Sequence, residues 1–315
     1  MKDLVRMSDL SPAGLARLLN FAAATKRNPH AWRTHMAGQT VVCYFAQPST
    51  RTRLSFGAAI TRLGAVPQVV GPGDLHLDRG ETIEDTAQVV SRYAAAFVIR
   101  TFSDDDVARF ARAASIPIVN AMTDCHHPCQ ALADLLTLQE RLGRLPGTRL
   151  AYVGDGNNIV HSLLEGCALA GVDIAVATPP GYEPDADVVA TARRIACRHG
   201  SHVLVTHNPH EAVDGAHAVY TDVWASMGTT MTGARREALT PYRVDEALMA
   251  SARPDAVFMH CLPAHRGHEV SDAVIDGPQS IVFEQAENRT HTAVAVLVGM
   301  TNNSITGTGA QESRS

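Results

Sequence analysis

Short apolar runs rich in β-branched residues alternate with helix-length amphipathic stretches along the whole chain, which is the signature of β-α-β units around parallel sheets. In the first half the strand patterns fall at 40–45, 66–70, 95–100 and 116–120, with helical patterns such as 52–63 and 82–93 between them. Thr82 stands three residues before Asp85, a spacing that caps a first helical turn. In the second half the strand patterns are 149–153, 173–177, 202–206, 218–221, 256–261 and 280–283. Segment 128–142 carries Leu132, Leu135, Leu136, Leu138 and Leu142, which suits a helix bridging the two halves before Gly143 and Pro146-Gly147 break it. The expected fold class is α/β, with two doubly wound domains of mainly parallel sheets joined by bridging helices. Their expected extents are 1–130 and 131–286, with a C-terminal helix at 287–300 packing back on the first domain and a loose polar tail at 301–315. Two long polar stretches, 71–81 and 224–240, are too irregular for simple connectors and are candidate lids.

Length agrees with two domains, since 315 residues exceed the roughly 250–300 at which one core stops growing. With 27 Lys+Arg against 32 Asp+Glu the net charge is -5, which excludes a broad basic surface for nucleic acid and makes any anion site local. No stretch approaches the ~18 apolar residues of a membrane span, and the first ten residues lack an apolar run after their charges, so the chain reads as cytoplasmic. The six cysteines form no C-x-x-C pair, which argues against structural zinc and a disulfide framework. The 15 histidines show no H-E-x-x-H spacing; no metal is expected, and most are placed at the surface or in loops.

Chemistry concentrates where strand patterns end. Ser49-Thr50-Arg51-Thr52-Arg53 follows an apolar strand and opens a helix. Exposed N–H groups, the helix dipole and forked guanidinium donors together suit a phosphate there. The plainer alternative is that Ser49 or Thr50 only caps the helix and the arginines are solvated. His126-His127-Pro128-Cys129-Gln130 opens the bridging helix, where a histidine can donate to a carbonyl oxygen. Arg100 ends a strand, where ligands sit in open α/β sheets. Gly154-Asp155-Gly156-Asn157-Asn158 has the outline of a dinucleotide fingerprint, but Ile159 replaces the third glycine and no acid ends the next strand at 177–179. Asp222 with Ser226-Met227-Gly228, and His260-Cys261-Leu262-Pro263, follow two further strands. Cys261 can be read as a nucleophile or as a packing thiol; a polar contact near the reacting atoms, without a covalent intermediate, is the favoured reading.

Taken together, these motifs with Glu287-Asn288-Arg289 resemble the ornithine carbamoyltransferase family over about residues 8–300. The resemblance implies that Ser49, Thr50, Arg51, Thr52 and Arg100 hold the phosphate of carbamoyl phosphate. It implies that Thr52, Arg100 and His127 polarise the carbonyl, while Gln130, the Leu262 carbonyl and Arg289 fix the carbamoyl end. Ornithine would be held by Asn158, Asp222, Ser226 and Met227, with Asp222 and Cys261 influencing loss of the δ-ammonium proton. Also implied are a homotrimer, closure of the Ser226-Met227-Gly228 loop, a cis Leu262-Pro263 bond, and no metal or organic cofactor.

The chain departs from the family pattern at Gln47, where relatives place a lysine, and after Gly228, where Thr-Thr-Met-Thr-Gly stands in place of Gln-Glu; its C-terminal helix also gives way early to the polar tail. Competing readings are a carbamoyltransferase for lysine, putrescine or an N-acylornithine, a non-catalytic carbamoyl-phosphate-binding relative, and a dinucleotide oxidoreductase. The Ser226-Met227-Gly228 motif argues against the first, the full set of acceptor contacts against the second, and the missing glycine and acid against the third.

Overall fold

Most strands are buried along nearly their whole length and are predominantly apolar, because helices pack against the sheets and leave few strand positions to solvent. The structure, a computed structural model, describes residues 2–225 and 229–301. The first half runs α1 (Pro12–Arg27), β1 (Thr40–Phe45), α2 (Thr50–Arg62), β2 (Val66–Val70), α3 (Ile83–Tyr93), β3 (Ala96–Arg100), α4 (Asp104–Ala113) and β4 (Ile118–Met122). The second continues through α5 (Pro128–Leu142), β5 (Arg149–Val153), α6 (Asn158–Ala170), β6 (Asp173–Ala177), α7 (Ala186–His199), β7 (Val203–Thr206), α8 (Pro209–Val213) and β8 (Ala218–Thr221). It closes with α9 (Gly233–Leu239), α10 (Glu246–Met249), β9 (Val257–His260), α11 (Asp272–Ile275) and α12 (Val282–Thr301).

The strands form two parallel sheets, ordered β2-β1-β3-β4 and β7-β6-β5-β8-β9. In each, the chain starts in the middle and steps first to one side and then to the other. The crevices where loops diverge therefore lie at the carboxyl ends of β1 and β3 and of β5 and β8. Register brings Phe45, Arg100 and Met122 abreast at one edge, and Thr221 beside His260 at the other.

Local signals act as read. The Thr82 hydroxyl accepts from the Asp85 N–H at 3.0 Å, and Gly143, with φ 74°, ends α5. Segment 280–283 is not a strand: Ser280 makes one isolated bridge to Phe258, and α12 begins at Val282. Its apolar residues 281–283 lead into the start of a helix, with Ile281 and Val282 buried and Phe283 exposed, which so short a run cannot tell from a strand by periodicity.

Helices α5 and α12 pack together and carry the apolar core through both halves; α12 also packs on α1 and α2. Their contact includes buried polar pairs. Gln285 donates to Asp134 at 2.7 Å, Asn288 donates to the Thr137 hydroxyl at 2.9 Å, and Arg289 donates to Gln130. Asp134, fully buried, also accepts from Gln130 at 2.8 Å and from the Tyr220 hydroxyl at 3.2 Å.

Burial pushes the Asp134 carboxyl up to about 7 against these donors. The folded chain thus keeps a proton that the unfolded chain loses near pH 4, so this group's contribution to stability declines as pH rises from about 4 to 7. Asp134→Asn keeps the shape and removes that decline. Relative to the wild type, the variant gains on the order of 3 kcal/mol between pH 5 and pH 8, as read by urea unfolding.

Candidate active site

The strand ends converge on a cleft of about 390 Å³ whose walls come from both halves. On the first side stand Ser49, Thr50, Arg51, Thr52, Arg100 and His127; on the other, Asn158, Asp222, Cys261 and Leu262, with Gln130 and Arg289 at the base. Ser49 is extended and its hydroxyl accepts from the Thr52 N–H at 3.3 Å, so it caps α2 and faces the cleft at once. Capping and anion binding are therefore not alternatives here. Arg53 is not in the cleft wall; its guanidinium lies over the Phe45 ring at 5.2 Å.

Charge in the cleft is one-sided. Arg100 is brought down to about 10, first by burial and then by Arg289 and Arg51; burial also lowers Arg51 and Arg289. Three guanidiniums that disfavour one another form a ready site for a dianion. Burial, with the same three arginines, holds the His127 imidazole well below its usual range, so it is neutral at physiological pH. Its N–H of the backbone is anchored on the Ser162 hydroxyl at 2.7 Å, while the buried Nδ1 has no hydrogen-bond partner among the described residues. Arg289 donates to the Thr52 hydroxyl at 2.9 Å and to the Gln130 carbonyl oxygen, tying α12 to both α2 and α5.

The facing wall holds a carboxylate. Asp222 accepts from the Asn157 amide at 2.8 Å and from the Cys261 thiol at 2.9 Å. Burial beside Asp222 pushes the Cys261 thiol well above its ordinary value, so it stays protonated and is a poor nucleophile. Asn158 donates to the Thr123 carbonyl at 2.6 Å and turns toward the cleft from the first turn of α6. Asp222, His260 and Cys261 are close enough to surround an ion. Their lone pairs are committed, however, since the thiol proton points at Asp222 and the His260 Nδ1 accepts from the Leu262 N–H at 2.8 Å. Leu262 has φ 56° and a cis bond to Pro263. Ser226, Met227 and Gly228 lie outside the described residues, but Ala225 lines the cleft beside them.

Several expectations change. Stretch 71–81 contributes no cleft residue; Leu77, Asp78, Gly80 and Glu81 border a separate hollow with Tyr44 and Arg109. It follows an edge strand, one place removed from the crevice, so its loop opens elsewhere. Most histidines are exposed or partly exposed as expected, and five (126, 127, 161, 260 and 291) are buried. Gln47 is also buried, and neither of its amide atoms has a partner among the described residues. Sequence reasoning missed Met122, which lines the cleft because β4 runs two residues further than its apolar pattern and ends abreast of Arg100. It also missed Arg235, which pairs with Asp155, lies over the Tyr182 ring at 4.9 Å and donates to the Trp224 carbonyl.

Comparison with known proteins agrees with this geometry. Residues 2–140 match the carbamoyl-P binding domain, and residues 146–300 the Asp/Orn binding domain, of aspartate/ornithine carbamoyltransferases. The chain is 51% identical over 308 residues to an ornithine carbamoyltransferase of Parafrankia sp., covering 96% of this chain and 97% of the relative. It is 47% identical to that of Bacillus subtilis, with 94% and 92% covered. The solved ornithine carbamoyltransferase of Pyrococcus furiosus superposes with a TM-score of 0.91 at 44% identity, covering 94% of this chain and 96% of that one. The Gloeobacter violaceus enzyme superposes at 0.87 and 43%, with 96% and 99% covered. With a matching fold, both domains matched and half of its residues shared with a near full-length relative, the chain belongs to the aspartate/ornithine carbamoyltransferase family.

Proposed function

We propose that this protein transfers the carbamoyl group of carbamoyl phosphate to the δ-amine of L-ornithine, giving L-citrulline and phosphate. The observation that carries the reading is the polarised cleft, lined by Arg51, Arg100 and Arg289 on one side and by the Asp222 carboxylate on the other, charges that suit an anionic donor and a cationic acceptor. Residues 1–130, with helix 287–300, hold carbamoyl phosphate, and 131–286 hold ornithine; the two matched domain descriptions support this division.

In this reading the phosphate sits on the α2 N-terminus against Ser49, Thr50, Arg51 and Thr52, with Arg100 across from them. Thr52, Arg100 and neutral His127 donate to the carbonyl oxygen as it gains charge in the tetrahedral intermediate. The Gln130 side-chain oxygen and the Leu262 carbonyl accept from the carbamoyl NH₂, and Arg289 fixes that end by donating to Gln130, which also donates to Asp134. Asn158, Asp222, Ser226 and Met227 hold ornithine. Its δ-amine attacks only after losing a proton, since the ammonium has no lone pair, and Asp222 with the Cys261 thiol faces that step. Collapse breaks the carbon–oxygen bond to phosphate, which leaves with its charge balanced by the arginines.

A homotrimer and a cytoplasmic location complete the proposal. Exposed Leu54, Val66, Val69, Val89 and Tyr93 on α2, β2 and α3 support a covered face on the first domain, and all six cysteines are free thiols, as in a reducing compartment. Among the described residues no helix is long and apolar enough to cross a membrane.

Initial rates with carbamoyl phosphate and ornithine, lysine, putrescine or N-acetylornithine test the acceptor: citrulline forms from ornithine, and carbamoylation of another amine in its place rejects this assignment. Inorganic phosphate at a hundredfold excess over its dissociation constant stabilises the free protein by about 2.7 kcal/mol. Arg51→Ala removes most of that shift in a thermal melt. His127→Gln lowers kcat about a hundredfold. It leaves the acid limb of the pH profile in place, because His127 is already neutral there and the limb belongs to the acceptor ammonium.

A further inference from the structure

The loop between β4 and α5 gathers a second group of reactive side chains that does not line the cleft: Asp104, Cys125 and His126, whose ligand atoms lie within 4.8 Å of one another, and His161 beside them. Asp104 organises the loop. Its carboxylate accepts from the Thr123 hydroxyl at 2.8 Å and from the Cys125 N–H at 3.1 Å, and it faces the His126 Nδ1 at 2.8 Å. His126 is buried between this carboxylate and the Cys125 sulfur, which push its imidazole up to about 10 against the pull of burial. It is therefore an imidazolium at neutral pH.

His161 adds a second donor, and its tautomer follows from its contacts. Its Nε2 accepts the Asp185 backbone N–H at 2.9 Å, so in the neutral ring the proton sits on Nδ1. That Nδ1 lies 3.0 Å from the Cys125 carbonyl oxygen and 3.6 Å from its sulfur. The half-buried sulfur faces the His161 Nδ1 and lies close to the His126 imidazole, and the two rings outweigh desolvation and bring the thiol down to about 7. The contrast within the molecule is sharp. Burial pushes Cys43 and Cys129 up to about 12 and Cys167 higher still, and Cys261 is held protonated by Asp222. Cys197 is exposed on α7.

We propose that Cys125 is a modification site: a thiolate held by His126 and His161, with Asp104 behind His126, that forms mixed disulfides with small disulfides. In this step the Cys125 sulfur attacks one sulfur of the disulfide, the new S–S bond forms and the old one breaks. The departing thiolate takes its proton from the His126 imidazolium. Cys125 is oxidised to the mixed disulfide and half of the reagent is reduced to thiol. The titratable groups around the sulfur are His126 and Asp124 of its own loop, Asp104 of α4, His161 of α6 and Asp185 ahead of α7.

The test is a competition within the wild-type protein. Limiting iodoacetamide, and in a second arm 2-hydroxyethyl disulfide, is added at pH 6.5 and the labelled peptides are mapped by mass spectrometry. Cys125 reacts about fivefold faster than exposed Cys197, because the imidazoles around its sulfur favour the thiolate that attacks. Equal or faster labelling of Cys197 overturns the proposal. In His126→Gln the Cys125 rate falls about fivefold or more with Cys197 unchanged, and an unaltered Cys125 rate also overturns it; the wild-type competition decides alone if that variant does not fold.

Discussion

The contact between α5 and α12 sets the geometry on which the rest depends. Gln130, Asp134 and Thr137 succeed one another along one face of α5 and meet Arg289, Gln285 and Asn288 of α12. Each pair is buried, so sliding one helix past the other by a turn would strand all of them in an apolar interior, at roughly 1–3 kcal/mol for each unpaired group. An apolar seam could slip; this one has a single register. Arg289 carries the same constraint into α2 through the Thr52 hydroxyl, and Gln285 carries it to β9 by accepting the His260 N–H at 3.0 Å. Both walls of the cleft are thereby placed relative to one pair of helices.

That arrangement explains how a chain of net charge -5 keeps three guanidiniums crowded at one end of a pocket. Their mutual repulsion is offset by tertiary structure before any substrate arrives, so neutralising an incoming dianion requires no reorganisation at the moment of reaction. Burial first, and then the same field, keeps His127 uncharged. Across the cleft, the Asp222 carboxylate and the Cys261 proton hold each other, which keeps this cleft-lining thiol from acting as a nucleophile.

Much of this was legible in the sequence because strand ends, helix openings and the breaks at Gly143 and Pro146 are local signals. Ser49 to Thr52, Arg100, His127, Asp222 and Cys261 each sit within a residue or two of such an end and meet in one cleft. What stayed hidden was set by distance or register. Met122 joins the cleft through its alignment with Arg100, and Arg235 reaches Asp155 and Trp224 from a stretch with no periodicity of its own. Segment 280–283 misread as a strand because a few apolar residues carry no period, and sequence does not say that the stretch at 71–81 follows a strand at the sheet's edge and borders a separate hollow.

Gly156 shows how far one small position reaches. It sits in the turn that has the outline of a nucleotide-binding loop, yet the backbone pressed against it belongs to the protein: a Cβ there would run into the Tyr182 carbonyl, Glu183 and Pro184. Its N–H donates to that Tyr182 carbonyl at 2.9 Å, and Asn157 already caps the helix that a pyrophosphate would need. The same segment leads directly into Asp185, whose backbone N–H decides which nitrogen of His161 carries the proton. A single methyl group at residue 156 would therefore be felt, through a displaced backbone, as a change in where a hydrogen atom sits beside Cys125.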